Sequence, residues 1–98
     1  MRKSFLFLAD GFEEVEALGV VDVLRRGTIE VKTVSISDKK EVTGAHGVPV
    51  VADFLLSDVK EEDAEFLICP GGMPGAKNLG DSTALVQWIQ KHFDKGGY

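Results

Sequence analysis

Cysteine is almost missing from this chain, which holds only Cys69. A lone thiol cannot close an internal disulfide, and that fits a reducing, cytoplasmic setting. Histidine is scarce as well. His46 and His92 lie far apart without cysteine partners, so there is no zinc-ligand spacing and no metal is expected. Cations are outnumbered: 11 Lys and Arg stand against 16 Asp and Glu, for a formal charge of −5. Phosphate binding needs clustered positive charge, and Arg25-Arg26 and Lys39-Lys40 are too few to supply it. Nucleic acid is therefore not an expected partner. No apolar run approaches the roughly 18–20 residues that span a bilayer, so a membrane is not expected either. The start, Met1 to Ala9, imitates a signal peptide. Its apolar core is short, and Asp10-Gly11-Phe12-Glu13-Glu14 follows without a cleavage-like pattern.

What remains is the composition of an ordinary globular protein, with 44% apolar and 28% charged residues. At 98 residues the chain is at most one small domain. A fold of this size buries only about 60–65% of its unfolded surface, so partners that cover its edges matter.

Phe5 to Ala9 is a continuous apolar run, as expected of a strand buried on both faces. Asp10-Gly11 turns the chain. Glu13 to Arg26 reads as a helix, with Val15, Leu18, Val20, Val21 and Leu24 as its apolar face. Acidic residues open it, Arg25 and Arg26 close it, and Gly27 is its stop. Ile29 to Ile36 is rich in β-branched residues and reads as a second strand. Val42 and Val48 to Val51 can pair around Gly44-Ala45-His46-Gly47, with Pro49 placing the second segment at an edge. Ser57 can cap a short helix through Asp63. Glu65 to Cys69 is a further strand. Asp81 or Ser82 can cap a last helix whose Leu85, Trp88, Ile89 and Phe93 form one stripe. This order predicts a parallel α/β sheet with helices on both faces.

Chemistry concentrates after two strands. The run Phe66-Leu67-Ile68-Cys69 stops at Pro70-Gly71-Gly72-Met73-Pro74-Gly75. In open α/β sheets the carboxyl edge is where ligands bind. Two glycines there allow a sharp bend and leave amide N–H groups uncovered, the makings of an oxyanion hole. The same residues also suit a packing turn with no chemistry. A phosphate loop is a poor reading, because Gly75-Ala76-Lys77-Asn78 breaks the Gly-Lys-Ser/Thr pattern.

Glu13, Glu14 and Glu16 follow the first strand. Glu13 and Glu14 read as favouring the positive helix end. Glu16 sits among Val15, Ala17 and Leu18, and a carboxyl wedged against a sheet edge can hold a proton and donate it in a hydrogen bond. Cys69 reads as a small buried hydrophobe rather than a catalytic thiol. His92 reads as a solvated residue at a helix end, and His46 as a loop residue that can line a site. Asp10, at a strand end, suggests the acidic pocket of a receiver domain, although no second feature supports that.

Together these motifs resemble the ThiJ/PfpI superfamily, which includes deglycase and glyoxalase III-like proteins. The stretches that carry the likeness run through the chain in order. They are Asp10 to Glu16, Val21 to Arg26, Gly44 to Val48 with Asp53, Cys69 to Ala76, and Asn78-Leu79 with the helix after Asp81-Ser82.

The resemblance implies a flavodoxin-like parallel sheet flanked by helices, similar to class I glutamine amidotransferases. Residues 1–98 would be the N-terminal part of a single such domain. It implies that Glu16 hydrogen-bonds a reactive cysteine and that the Gly72 amide serves an oxyanion hole. Gly71, Met73 and His46 would line the site, with Asp22 supporting it on the helix that family dimers use. The family's nucleophile stands on a strand-to-helix elbow that would follow a segment like Lys95-Gly96-Gly97-Tyr98. Cys69 takes a position usually held by an aliphatic residue. The implied activity is cysteine-dependent attack on small reactive carbonyls or glycation adducts, without a cofactor. The implied partners are the C-terminal remainder of the domain or a companion chain, a second copy as a homodimer, and a small carbonyl substrate. The alternative is a non-enzymatic, chaperone-like or oxidative-stress interaction protein of the same fold.

Overall fold

Strand β1, Lys3–Leu8, lies within a four-stranded parallel sheet and supplies its centre. The computed structural model describes residues 3–59, 66–70 and 75–94. Period-2 alternation sends Leu6 and Leu8 into one core and Phe5 and Phe7 into another. Both faces are covered, which is why the run is apolar throughout. Each of these side chains contributes roughly 1.5–3 kcal/mol by its burial.

Helix α1, Glu14–Arg26, crosses to β2, Glu30–Ser35, which pairs with β1 in parallel from Lys3↔Glu30 to Leu8↔Ser35. A hairpin follows, with β3, Glu41–Thr43, antiparallel to β4, Pro49–Val51. Pro49 sits at its loop end opposite Thr43, in a two-stranded sheet whose strands are both edges, as expected. The two-residue β5, Phe54–Leu55, then extends the sheet beside β2. Strand β6, Phe66–Ile68, pairs with the other side of β1. The order is β5-β2-β1-β6. Two helices complete the described chain: α2, Gly75–Gly80, and α3, Thr83–Asp94.

Several details depart from expectation. Strand β5 carries no local signal. Asp53 fixes it by accepting the Thr33 N–H at 3.0 Å and the Arg25 guanidinium at 2.9 Å, while its own N–H donates to Thr33 Oγ1 at 2.8 Å. Ser57 does not stand at the cap of the expected helix, and Val59 after it is extended. Ser57 lies within a single 3₁₀ turn, Leu56–Asp58, and residues 60–65 lie outside the described chain.

The buried line of α1 is Glu14, Ala17 and Val21 with Leu24 beside it, not the Val15–Leu18–Val20 face. Val15 and Leu18 are exposed. In α3, Leu85 and His92 are buried while Ile89 and Phe93 face outward. His92 stands seven residues after Leu85, about two turns on, so it falls on the same line. It is thus a core residue rather than a solvated one. Trp88 completes that face, 5.9 Å from Phe5 and 6.0 Å from Phe7 between ring centroids. Ser82 caps α3, accepting the Leu85 N–H at 3.2 Å.

The end of α1 also departs in detail. Gly27 is the cap, but the left-handed residue is Thr28, at φ 63°. The turn needs that conformation because the Ile29 N–H returns to the Leu24 carbonyl at 2.9 Å. A β-branched residue there costs about 1–2 kcal/mol. The hydroxyl of Thr28 bonds the Gly27 carbonyl at 2.6 Å and offsets part of this. Thr28→Gly is expected to raise stability by about 1 kcal/mol. The urea midpoint at fixed protein concentration checks it, and a fall would contradict the account.

Candidate functional site at the carboxyl edge of the sheet

Helix α1 leaves β1 toward one face, and α3 follows β6 toward the other. Adjacent strands that send their chains to opposite faces open a crevice at their carboxyl ends. The β1–α1 turn lies there, with Gly11 at φ 87°. It is stitched to the hairpin by Gly11 N–H to the Thr43 carbonyl at 2.8 Å and Ala45 N–H to the Phe12 carbonyl at 2.8 Å. Asp10 Oδ1 accepts the Thr43 N–H at 3.1 Å. From the other side, the Asn78 amide of α2 donates to the Asp10 carbonyl at 2.7 Å.

The three glutamates have three fates. Glu13 is the N-cap of α1, and its carboxylate accepts the Val15 N–H at 2.8 Å. Glu14 turns inward and is buried. Its Oε2 accepts the N–H groups of His46 at 2.8 Å and Val48 at 3.3 Å, and its Oε1 lies 2.8 Å from His46 Nδ1. Gly44 makes room for this, since a Cβ there would overlap the Glu14 side chain. Gly47, at φ 80°, closes the loop. Glu14 therefore does more than complement the helix end: it latches the β3–β4 loop to α1.

Glu16 is about 200° around the helix from Glu14 and is exposed. Among the described residues its side chain makes no hydrogen bond, and its neighbours Val15 and Leu18 are exposed too. The expected wedge against the sheet edge is therefore absent from the described chain. Asp22 is also exposed and bonds Arg26 Nε, one turn along the same helix, at 3.1 Å. Gly71, Gly72 and Met73 lie outside the described residues. Cys69 is exposed rather than buried, because β6 ends one residue before it. The protein atoms around its sulfur still push the thiol pKa up, which disfavours the thiolate.

The structure thus brings Glu13, Glu14 and His46 together, their ligand-type atoms within 4.8 Å of one another. With Glu13 capping and Glu14 accepting three hydrogen bonds, this group is a latch. Sequence spacing held a signal for Glu14: it precedes Ala17 by three and Val21 by seven, on the buried line.

Electrostatics reinforce the latch. Burial pushes the Glu14 pKa up. Hydrogen bonds from the His46 ring, its own N–H and the N–H groups of His46 and Val48 outweigh this and hold it at about 2, against 4.5. The hydrogen bond to Glu14 raises the His46 pKa above 6.5, helped by the charges of Glu14 and Glu13. Glu14 therefore contributes stability above pH 4.5 that is lost as pH falls toward 2. His46 contributes fully below pH 6.5 and loses its share as pH rises through its folded pKa. The latch is expected to stabilise most between pH 4.5 and 6.5. Glu14→Gln should flatten the dependence of Tm on pH in both directions. An unchanged profile would refute the assignment.

The DJ-1/PfpI family profile matches residues 2–98. Protein DJ-1 homolog B of Arabidopsis thaliana is 35% identical over 95 residues, covering 97% of this chain and 22% of that protein. The Parkinson disease protein 7 homolog of Danio rerio is 31% identical over 97 residues, covering 98% of this chain and 51% of that one. Among solved structures, oxidized Toxoplasma gondii DJ-1 matches with TM-score 0.94 and 38% identity, over 99% of this chain and 53% of that chain. A mutant of a DJ-1 superfamily protein from Salmonella typhimurium matches with TM-score 0.94 and 35% identity, over 99% and 52%. The chain spans about half, or less, of the length of these relatives.

Proposed function

Because the chain belongs to the DJ-1/PfpI family, we propose that it forms the Glu16- and Gly72-bearing part of a cytoplasmic, cysteine-dependent enzyme. Its substrates are small reactive carbonyls or early glycation adducts. A thiolate supplied by the remainder of the domain, or by a companion chain, adds to the carbonyl carbon. Glu16 manages the proton, and the Gly72 amide donates to the developing oxyanion. Gly71, Met73 and His46 shape the approach. A homodimer through α1, with Asp22 beside the interface, belongs to the same reading, and no cofactor takes part.

One observation carries this. Of the three glutamates at the carboxyl edge, Glu13 and Glu14 are committed to the cap and the latch, and only the Glu16 side chain is left without a hydrogen bond among the described residues. Methylglyoxal turnover tests it. The complete protein should form lactate, and the pure 98-residue chain should do no better than a free thiol. Lactate formation by the 98-residue chain that Cys69→Ser abolishes would overturn the proposal.

A second reading is a chaperone-like interaction protein. The exposed Val15, Val23 and Phe93 favour it, at 78%, 66% and 72% accessibility. Suppression of client aggregation that survives Glu16→Ala, with no carbonyl turnover, would select this reading.

A further inference from the structure

Asp10 has a setting that the function above does not use. It lines a cavity of about 210 Å³ between the carboxyl ends of β1 and β2. Only a small ligand or the tip of a larger one fits a space of this size. Leu8, Ile36 and Val42 give it apolar walls, and Asn78 and Ser82 close it from the α2–α3 side.

The polar groups are matched in kind. Asp10 Oδ1 accepts the Thr43 N–H, which leaves Oδ2 available. The Asn78 amide nitrogen donates to the Asp10 carbonyl, and no partner for its oxygen occurs among the described residues. Ser82 Oγ accepts the Leu85 N–H and keeps a second lone pair. The Ser37 hydroxyl, by contrast, is taken up by Ser35 and the Lys39 carbonyl. Among the described residues no Lys, Arg or His lines the cavity, and Asp10 forms no ion pair. Anions are therefore disfavoured. A primary ammonium has three donors and no acceptor, which fits Asp10 Oδ2, Asn78 Oδ1 and Ser82 Oγ, with an alkyl stem against the apolar walls.

We propose that this cavity binds an aliphatic primary ammonium group, through Asp10, Asn78 and Ser82. The ligand is either a free alkylamine or a lysine side chain. The site is independent of the carbonyl chemistry, so its test needs no turnover. Titration of the ¹⁵N-labelled complete protein with n-butylammonium, at constant ionic strength, should shift the Asp10 and Ser82 amides and the Asn78 side-chain NH₂ saturably. Butanol and butyrate should bind at least about tenfold more weakly, as expected when a charge-assisted hydrogen bond is lost. Asp10→Asn keeps an acceptor for Thr43, and its spectrum reports its fold. It should weaken the amine by a similar factor and leave butanol unchanged.

Nα-acetyl-lysine methylamide that binds as tightly as n-butylammonium would support the proposal with a lysine side chain as the source. Weaker binding of that amide would support it with a free amine. Equal binding of butanol, the same shifts with MgCl₂ alone, no saturation, or an unaffected Asp10→Asn variant would each overturn it.

Discussion

Glu16→Ala is expected to slow carbonyl turnover by the complete protein about 100-fold, the usual scale for a lost proton-transfer group. The loss should fall on kcat, since Glu16 is assigned to the proton and not to substrate capture. Stability should change little. The residue is exposed and its side chain makes no hydrogen bond within the described chain, and surface substitutions of this kind usually lie within about 0.5 kcal/mol. Glu13→Ala should behave in the opposite way. It removes the cap on Val15 N–H and costs about 1 kcal/mol of stability, with turnover largely retained. Equal losses of turnover from the two variants would sink the assignment, and so would an activity loss that follows melting temperature.

The second large effect concerns assembly. The 98-residue chain is expected to self-associate, to aggregate, or to be found with the remainder of its domain, rather than to persist as a monomer. Along α3, Val86, Ile89 and Phe93 are exposed, Phe93 at 72%. On α1, Val15 and Val23 are equally open. Among the described residues β6 ends the sheet, with β1 on one side only. An unpaired edge is a template for another strand, and contiguous apolar surface of several hundred Å² marks an interface. Burying Phe93 alone would contribute roughly 1.5–3 kcal/mol. Sedimentation should therefore show a concentration-dependent mass. Ile89→Lys with Phe93→Glu should shift it toward monomer if α3 carries the contact. A compact, cooperatively melting monomer of the unmodified chain would refute the expectation.

Much of this molecule was legible before its structure. The unbroken apolar run at Phe5 to Ala9 required cover on both faces, and that cover requires helices on both sides of a parallel sheet. Gly44-Ala45-His46-Gly47 between Val42 and the run Val48 to Val51 marked the hairpin, and Pro49 marked its edge. The acidic opening and basic close of α1 set its limits to within a residue. Local chemistry decided these features, so local sequence displayed them.

Other features depend on where elements meet. Whether Glu14 or Glu16 faces inward is a matter of helix phase, set by how Ala17 and Val21 dock on the sheet; the spacing of Glu14 to these two agrees with that phase, but the apolar Val15 and Leu18 beside Glu16 pointed the other way. His92 became a core residue because it shares a line with Leu85 and Trp88, although its charge type suggested solvent. Cys69 became exposed because β6 stopped at Ile68. Asp53 joins β5 to β2 across 20 residues, a separation that no local pattern encodes. Sequence by itself therefore determined the layers, the order of most elements and the edge at which chemistry gathers, because these follow from periodicity and turn residues. Only the tertiary structure decided which carboxylate is latched, which is free and which lines a cavity, because rotation about a helix axis and the packing of distant loops are fixed by contacts between elements.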